Sequence, residues 1–367
     1  MRLFNSLILW GLYSLLIPQI ASIPVSQFRE IAQIDNETTL APRTLRHDAS
    51  LPSVSHGKSP PKACSFNGRK EETNGITKYV MEDDYGPVAT LKLDHHMGDG
   101  SQGDVWSGTI TYDMPGKVDN NMIGKPLPVA IKVSMGGGGV DQSVLQDQVQ
   151  SPWVMQLREY FWSSNSKESV QVMDRGTTDL WKLMNQRVWH FNVEITVYGI
   201  GRALLSAHRV NIAYRDIKPE NVLFNDKGKF WLIDWDLAVF APERILTKGA
   251  GTVLYIGPEM YNRMPYDAFK NDVFGLTKLW LEMSQWKKMK KPEFNDKILD
   301  ELRKRRQRRG GTPGLTYEET NGFLKSNFKD LNPEEISLMA HGLCLQDERW
   351  NLQPWMVEFR RLYNIQL

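Results

Sequence analysis

A short polar stretch, YRDIKPENVL at residues 214–223, constrains this chain more than any other feature. It places a carboxylate (Asp216), an ammonium group (Lys218) and an amide (Asn221) on one loop, and a second carboxylate, Asp234, follows eighteen residues after the first. Transfer of a phosphoryl group requires such a set. One carboxylate receives the proton of the attacking hydroxyl, a cation stabilises the phosphate, and the amide and second carboxylate hold a divalent metal. The stretch therefore predicts a phosphoryl-transfer site.

A glycine-rich segment upstream has the pattern G-x-G-x-x-G-x-V, formed by Gly98, Gly100, Gly103 and Val105. Glycine lets a backbone bend sharply and approach phosphates without a Cβ in the way. By itself this pattern also fits an ordinary hairpin turn. The residues that follow, 105–111, alternate as a strand does instead of opening a helix, which favours a phosphate-binding loop between two strands.

The run Val129-Ala130-Ile131-Lys132 reads as a strand that places Val129 and Ile131 on one face, with Ala130 and Lys132 on the other. A small residue such as Ala130 leaves room for a flat purine, and the Lys132 ammonium could reach the phosphates of the same nucleotide. Its position between the glycine-rich segment and the polar loop favours this interpretation over a plain strand that ends in lysine.

These motifs, in this order, resemble those of protein kinases, in the variant with Tyr214 where many members have His. The resemblance extends from about residue 91 to about residue 359. Lys218 and the segment Gly251–Glu259 (G-T-x-x-Y-x-x-P-E) look like serine/threonine kinases. The implied fold is α+β and two-lobed, with a small strand-rich N-lobe, a larger helical C-lobe, and ATP with Mg²⁺ or Mn²⁺ in the cleft. The implied protein substrate carries a Ser or Thr acceptor.

The resemblance also implies a role for each motif residue. The implied catalytic residues are Asp216, Lys218 and Lys132, and the implied metal ligands are Asn221 and Asp234. The implied nucleotide-binding residues are Gly98, Gly100, Gly103, Val105, Ala130, Lys132, Met173 and Asp174, with Asp179 as a candidate ribose contact. Asp272 is expected to hold the catalytic-loop backbone, and Arg349 to pair with Glu259. Arg215 is expected to bind a phosphate on the following segment, where Thr247 is the candidate acceptor.

Two departures from the family pattern leave catalytic competence open. The helix that should offer a Glu to Lys132 has Asp141 or Gln142 at the corresponding place, and the usual D-F-G is Asp234-Trp235-Asp236. Gln142 could hydrogen-bond Lys132 without forming a charge pair. Asp236 could bind metal or repel ATP. The alternative function is therefore a pseudokinase that binds nucleotide or a partner protein without phosphoryl transfer.

The first 22 residues predict a secretory signal peptide, because Arg2 precedes a short apolar run and small residues follow Pro18. An uncleaved membrane anchor is the competing interpretation; the run is shorter than a span of about 20 residues. Residues 23–78 are rich in Ser, Pro, Thr and Asn and read as a disordered leader. The kinase-like domain is then expected over 79–367, with its N-lobe at about 79–174 and its C-lobe at about 175–367.

Within the leader, Arg43–Arg46 (RTLR) resembles the Arg-x-Leu-Arg tetrapeptide of oomycete host-targeted effectors; a processing site is the plainer interpretation. Together these features predict a secreted kinase, effector-like and from a fungus or an oomycete, that acts in a host cell; residence in the secretory pathway is the competing interpretation. Residues 287–309 carry eleven basic side chains against four acidic ones, which fits a solvated surface better than import into a host nucleus. With 45 basic and 43 acidic residues overall, no nucleic-acid partner is expected.

Neither a stable membrane span after signal cleavage nor a disulfide framework is expected. The chain has two cysteines, Cys64 and Cys344, which could pair or remain free thiols. The fold must therefore rest on its hydrophobic core. The sequence leaves the oligomeric state open.

Overall fold

The computed structural model describes residues 67–83, 85–100, 103–114, 122–136, 138–186, 191–286, 301–302 and 313–366. The signal-peptide prediction, the RTLR segment, Cys64 and nearly all of the basic stretch 287–309 lie outside these residues. No helix in the described part of the chain combines the length and apolar character that a membrane span requires.

Seven strands of the N-terminal region close into a barrel. In chain order they are β1 (Asn67–Thr73), β2 (Ile76–Asp83), β3 (Gly86–Gly100), β4 (Gly103–Tyr112), β5 (Leu127–Met135), β6 (Leu157–Ser163) and β7 (Glu168–Met173). Their order around the barrel is β1-β2-β3-β4-β5-β7-β6, and a short parallel pairing of Asn67–Gly68 with Trp162–Ser163 closes it. All other pairs in this barrel are antiparallel.

The barrel starts earlier in the chain than expected. The predicted leader extends to residue 78. Strand β1 and the first three residues of β2 lie within it, and the two strands pair from Asn67 to Glu82. Asn74 and Gly75 join them, both with positive φ (53° and 74°), which is the backbone that a two-residue hairpin turn requires. The described sheet therefore includes residues 67–78, which the predicted leader covers.

The barrel interior explains why β5 alternates as the sequence predicts. Val129 and Ile131 are fully buried among Leu91, Ile110 and Val172 in the N-terminal core. Lys132 is buried as well, at 6% exposure, but its ammonium group turns to carboxylates of the C-terminal region. One strand thus separates the barrel core from the cleft.

Helices dominate the rest of the chain. They are α1 (Gly138–Gln148), α2 (Leu180–Asn185), α3 (Val193–Arg209), α4 (Pro258–Tyr261), α5 (Ala268–Gln285), α6 (Tyr317–Asn327), α7 (Pro333–Leu343) and α8 (Leu352–Leu362). Asn192, Asp267, Thr316 and Asn332 start four of them by accepting hydrogen bonds from first-turn amides. Helix α5 is buried along nearly its whole length and lies at the centre of a second, larger core.

Short strands place the functional loops on this helical body. Strands β9 (Ile212–Ala213) and β12 (Val239–Phe240) pair antiparallel, as do β10 (Val222–Phe224) and β11 (Phe230–Leu232). Strand β8 (Thr178–Asp179) also pairs with β10, and β13 (Ile245–Leu246) pairs with β14 (Tyr266–Asp267). The strand-rich first part and helical second part confirm the predicted two-lobed α+β kinase fold.

Candidate active site

The backbone of the loop that carries Asp216 is hydrogen-bonded to a buried carboxylate. Asp272, near the start of α5, accepts hydrogen bonds from the backbone N–H groups of Tyr214 (3.0 Å) and Arg215 (2.8 Å), and from the ring of His208 (2.9 Å). Arg215 has a φ of 68°, a left-handed conformation that a residue with a side chain adopts only when its surroundings impose it. The predicted role of Asp272 is confirmed.

Four donors surround the Asp216 carboxylate. Its Oδ2 accepts from Lys218 Nζ (2.7 Å) and Asn221 Nδ2 (2.9 Å), and its Oδ1 accepts from the N–H (3.1 Å) and hydroxyl (2.8 Å) of Thr252. The residue is 4% exposed. The carboxylate is therefore fixed in orientation, and it lies directly between a cation from its own loop and the segment Gly251–Glu259.

Asn221 lies next to the residue before Asp234, at the end of the pairing of β10 with β11. The backbone carbonyl of Asn221 accepts from the N–H of Ile233 at 2.9 Å. Asp234 itself has a φ of 58°. An amide oxygen and a carboxylate oxygen are hard ligands of the kind that Mg²⁺ and Mn²⁺ take, so these two residues fit the expected metal.

Lys132 reaches the same place from β5. Its Nζ donates to Asp234 Oδ1 at 2.9 Å and to Asp236 Oδ2 at 2.5 Å. Burial would lower the pKa of Lys132, but the two carboxylates outweigh it and raise that pKa above its usual value. Burial raises the pKa of Asp236. Burial would also raise the pKa of Asp234, but Lys132 and Lys218 together with the hydrogen bonds of this carboxylate outweigh it and lower that pKa. Lys132 therefore remains a cation in the cleft.

The glycine-rich segment forms the hairpin between β3 and β4, and Gly100 pairs with Gly103. A Cβ on Gly103 would come within 2.3 Å of the Val133 carbonyl oxygen, so the neighbouring strand alone demands glycine there. Gly98 pairs with Val105 beside a bulge. The strand predicted after this segment is confirmed.

The candidate adenine-side residues lie at the adjoining strand ends. Ala130 pairs with Met173, the last residue of β7, and the Asp174 carboxylate accepts from Arg158 Nε at 2.5 Å. Asp179 caps α2 by accepting from the N–H of Lys182 at 2.8 Å, which gives its carboxylate a structural partner besides the predicted ribose.

Helix α1 does not supply the expected partner of Lys132. The side-chain oxygen of Gln142 is buried and has no hydrogen-bond partner, so the predicted bond from Lys132 to Gln142 is wrong. The physical reason is competition: a buried ammonium is stabilised far more by Asp234 and Asp236 than by a neutral amide. Sequence reasoning noticed Asp236 but missed this contact, since Asp236 lies 104 residues beyond Lys132.

The segment between Asp236 and Gly251 is contacted by Arg215. Arg215 donates from Nε to the Leu237 carbonyl (2.7 Å) and from Nη1 towards Lys248 O and the Tyr266 hydroxyl. Thr247 is exposed. Arg215 therefore lies against this segment, and its binding of a phosphate there stays a prediction.

The predicted ion pair between Arg349 and Glu259 is present. Arg349 and Glu259 are both buried and form two bonds, Nη1 to Oε1 at 2.6 Å and Nη2 to Oε2 at 3.2 Å.

Cys344 is a buried free thiol, and burial raises its pKa to about 11.

Comparison with known proteins agrees with this geometry. Residues 141–351, more than half of the chain, match the family described as protein kinase domain. The match starts after Lys132, so the glycine-rich hairpin and Lys132 rest on the sequence motifs and the fold alone.

Individual relatives are similar over shorter stretches. An Aurora/IPL1-related protein kinase 2 of Caenorhabditis briggsae is 30% identical over 144 residues, 37% of this chain and 47% of that protein. An Aurora kinase of Patiria pectinifera is 30% identical over 143 residues (38% and 34%), and rhodopsin kinase grk7a of Danio rerio is 43% identical over 68 residues (18% and 12%). The chain spans less than half the length of these curated relatives. From the extent of the family match, this chain belongs to the protein kinase domain family.

Proposed function

We propose that this chain is an active serine/threonine protein kinase that transfers the γ-phosphate of ATP to protein hydroxyls. The observation that carries the proposal is the Asp216 carboxylate, fixed by Lys218, Asn221 and Thr252 and buried at the edge of the cleft. This geometry fixes the carboxylate in one orientation beside a cation, as the orientation of an acceptor hydroxyl requires.

Each residue then has a chemical task. Asp216 orients the acceptor hydroxyl and takes its proton as the oxygen attacks, while Lys218 neutralises charge on the transferred phosphate. Lys132 binds the nucleotide phosphates. Asn221 and Asp234 would hold the divalent cation, which neutralises charge on the phosphate oxygens when bound.

Specificity for Ser and Thr rests on two features. Lys218 lies two residues after Asp216, the spacing that resembles serine/threonine kinases, and its ammonium is bonded to the Asp216 carboxylate. The Thr252 hydroxyl donates to the same carboxylate at 2.8 Å, which ties the segment expected to bind the substrate to the catalytic loop. Relatives named as Aurora and Sgk1 kinases support this assignment at low identity.

Phosphate transfer from radiolabelled ATP to a generic protein acceptor, and to the chain itself, tests the proposal with Mg²⁺ and with Mn²⁺. The wild-type chain should label Ser and Thr, and Asp216→Ala should lose at least about 10²-fold, the low end for a positioned proton acceptor. Asp226→Ala is the matched control, because Asp226 is a loop carboxylate that bonds Thr177 away from the cleft. Equal labelling by wild type and Asp216→Ala would sink the enzymatic assignment and leave the pseudokinase.

We also propose that residues 1–22 direct secretion and that the kinase acts in a host cell. The support is the basic, apolar and small-residue order of that segment, followed by the RTLR tetrapeptide. Expression with a C-terminal tag in a eukaryotic secretory host tests the first step. Mass spectrometry should find a mature N-terminus near Ser22 in the medium. Retention of the full chain in the cells would contradict it.

A further inference from the structure

Lys132 has two acidic partners, and both come from the same short segment. The ammonium group bonds Asp234 and Asp236, the two residues on either side of Trp235. Asp236 has the shorter bond and the more buried carboxylate, with 5% of its side chain exposed against 24% for Asp234. A buried ammonium that lost such partners would be strongly destabilised.

Helix α1 lies next to this site but contacts it through neutral groups. Gln171 pairs with Lys132 across β5 and β7, and its amide donates to Ser143 Oγ on α1 at 2.9 Å. The adjacent Gln142 has its buried oxygen without a partner. Helix α1 therefore lies next to Lys132, but no carboxylate among its described residues bonds the Lys132 ammonium group.

Asp234 cannot serve as the permanent partner if it also holds a metal. A carboxylate that coordinates a divalent cation gives up much of its attraction for a neighbouring ammonium, because the cation repels that ammonium. Asp236 is the other carboxylate within hydrogen-bond distance of Lys132 in the described residues. It can hold Lys132 while Asp234 turns to the metal.

We propose that Asp236 is the positioning residue of Lys132, replacing a helix carboxylate with one from the segment after β11. Of the proposed function, this proposal assumes only that the site binds a nucleotide. It makes the placement of Lys132 depend on the fold of the Asp234–Asp236 segment instead of on the orientation of α1. Asp236 acts through Lys132 and does not touch the reacting atoms.

A double-mutant cycle on nucleotide affinity tests this. Binding of a fluorescent ATP analogue with Mg²⁺ is measured for Asp236→Asn, Lys132→Ala and the double variant. Asp236→Asn should weaken binding on the order of tenfold, the size of coupling found between groups in contact, and should add nothing to Lys132→Ala. Asp141→Asn is the matched control, since it removes a carboxylate of α1, and should bind as the wild type does.

Three results would overturn the proposal: wild-type affinity for Asp236→Asn, an equal loss for Asp141→Asn, or a loss that persists in the Lys132→Ala background. If Asp236→Asn melts below the assay temperature, Asp236→Gly takes its place in the cycle. Failure of the proposed catalysis shows separately, as absent phosphate transfer by a wild-type chain that binds nucleotide.

A second readout needs no nucleotide. The Lys132 amine of the free protein is labelled with an amine-specific reagent, and its rate is followed by peptide mass spectrometry. Without its Asp236 partner the amine should react severalfold faster, whereas Asp141→Asn should leave the rate unchanged. Equal rates for wild type and Asp236→Asn would also overturn the proposal.

Discussion

Arg349→Met should destabilise the C-terminal lobe more than any change of a surface charge. The guanidinium is fully buried, its partner Glu259 is 3% exposed, and two bonds join them. Arg349 also donates to the carbonyl oxygens of Cys344 (2.8 Å) and Lys270 (3.2 Å). Methionine fills much of the volume but leaves a buried carboxylate and two carbonyls without these donors.

The magnitude follows from those groups. Removing one member of a buried ion pair costs about 3–5 kcal/mol, because the remaining charge is uncompensated. The two carbonyls add about 1 kcal/mol together, since water or neighbouring donors recover part of the loss. At about 2 °C for each kcal/mol in a domain of this size, Tm should fall by roughly 10 °C.

Thermal unfolding followed by circular dichroism measures the change. Arg361→Met is the control, because Arg361 bonds Glu358 at the surface with 56% of its side chain exposed, and its loss should hardly move Tm. Glu259→Gln in the Arg349→Met background should recover several degrees by removing the stranded charge. A drop below about 2 °C for Arg349→Met, or no recovery in the double variant, would refute the reasoning from burial.

Three further outcomes follow from single contacts. Asp272→Ala should lower kcat on the order of 10²-fold while nucleotide affinity stays unchanged, because the catalytic loop loses its backbone anchor. Steady-state kinetics measure this, and an unchanged kcat would contradict it. Thr247→Ala should lower the rate, because Thr247 is the candidate acceptor of a phosphate that Arg215 would bind; an unchanged rate in the same assay would contradict this. Burial lowers the pKa of His341, so the unfolded chain binds its proton more readily, and stability should fall as pH drops through about 6.5. His341→Phe, which preserves the stack on Trp350, should flatten that fall in urea titrations, and parallel curves would contradict it.

The sequence predicts the catalytic loop well because its chemistry is local. Asp216, Lys218 and Asn221 lie within one loop, so their proximity follows from spacing alone, but the hydrogen bonds of Lys218 and Asn221 to the Asp216 carboxylate are seen only in the structure. The anchors Asp272 and Arg349 are found from the resemblance to a family. Neither could be located from hydrophobic periodicity, since each bonds a residue more than fifty positions away.

The first hairpin is missed for a physical reason. Strand β1 is mostly exposed or half-buried, so it lacks the alternation of apolar residues by which a strand is recognised. Its turn does carry a signal, because Asn74-Gly75 is the dipeptide favoured in two-residue hairpins. The closing pair of Asn67–Gly68 with Trp162–Ser163 joins residues about a hundred positions apart, and no local pattern encodes it.

The partner of Lys132 is the part of the site that only the three-dimensional structure supplies. The sequence shows that α1 lacks a Glu and that Asp236 replaces a Gly, but it leaves open whether Asp236 binds metal or repels ATP. The structure adds an ion pair with Lys132 that neither alternative included. At 6% exposure, an isolated Asp236 carboxylate would be costly, and Lys132 is the cation that offsets the cost.

The segment from Asp234 to Glu259 is tied to the active site by three contacts that involve side chains. Asp236 holds Lys132, Arg215 bonds Leu237 O, and the Thr252 hydroxyl bonds Asp216. These contacts reach both β5, through Lys132, and the loop of Arg215 and Asp216. Displacing the segment would therefore disturb Lys132 and Asp216 together, so the placement of both side chains depends on the fold of one segment.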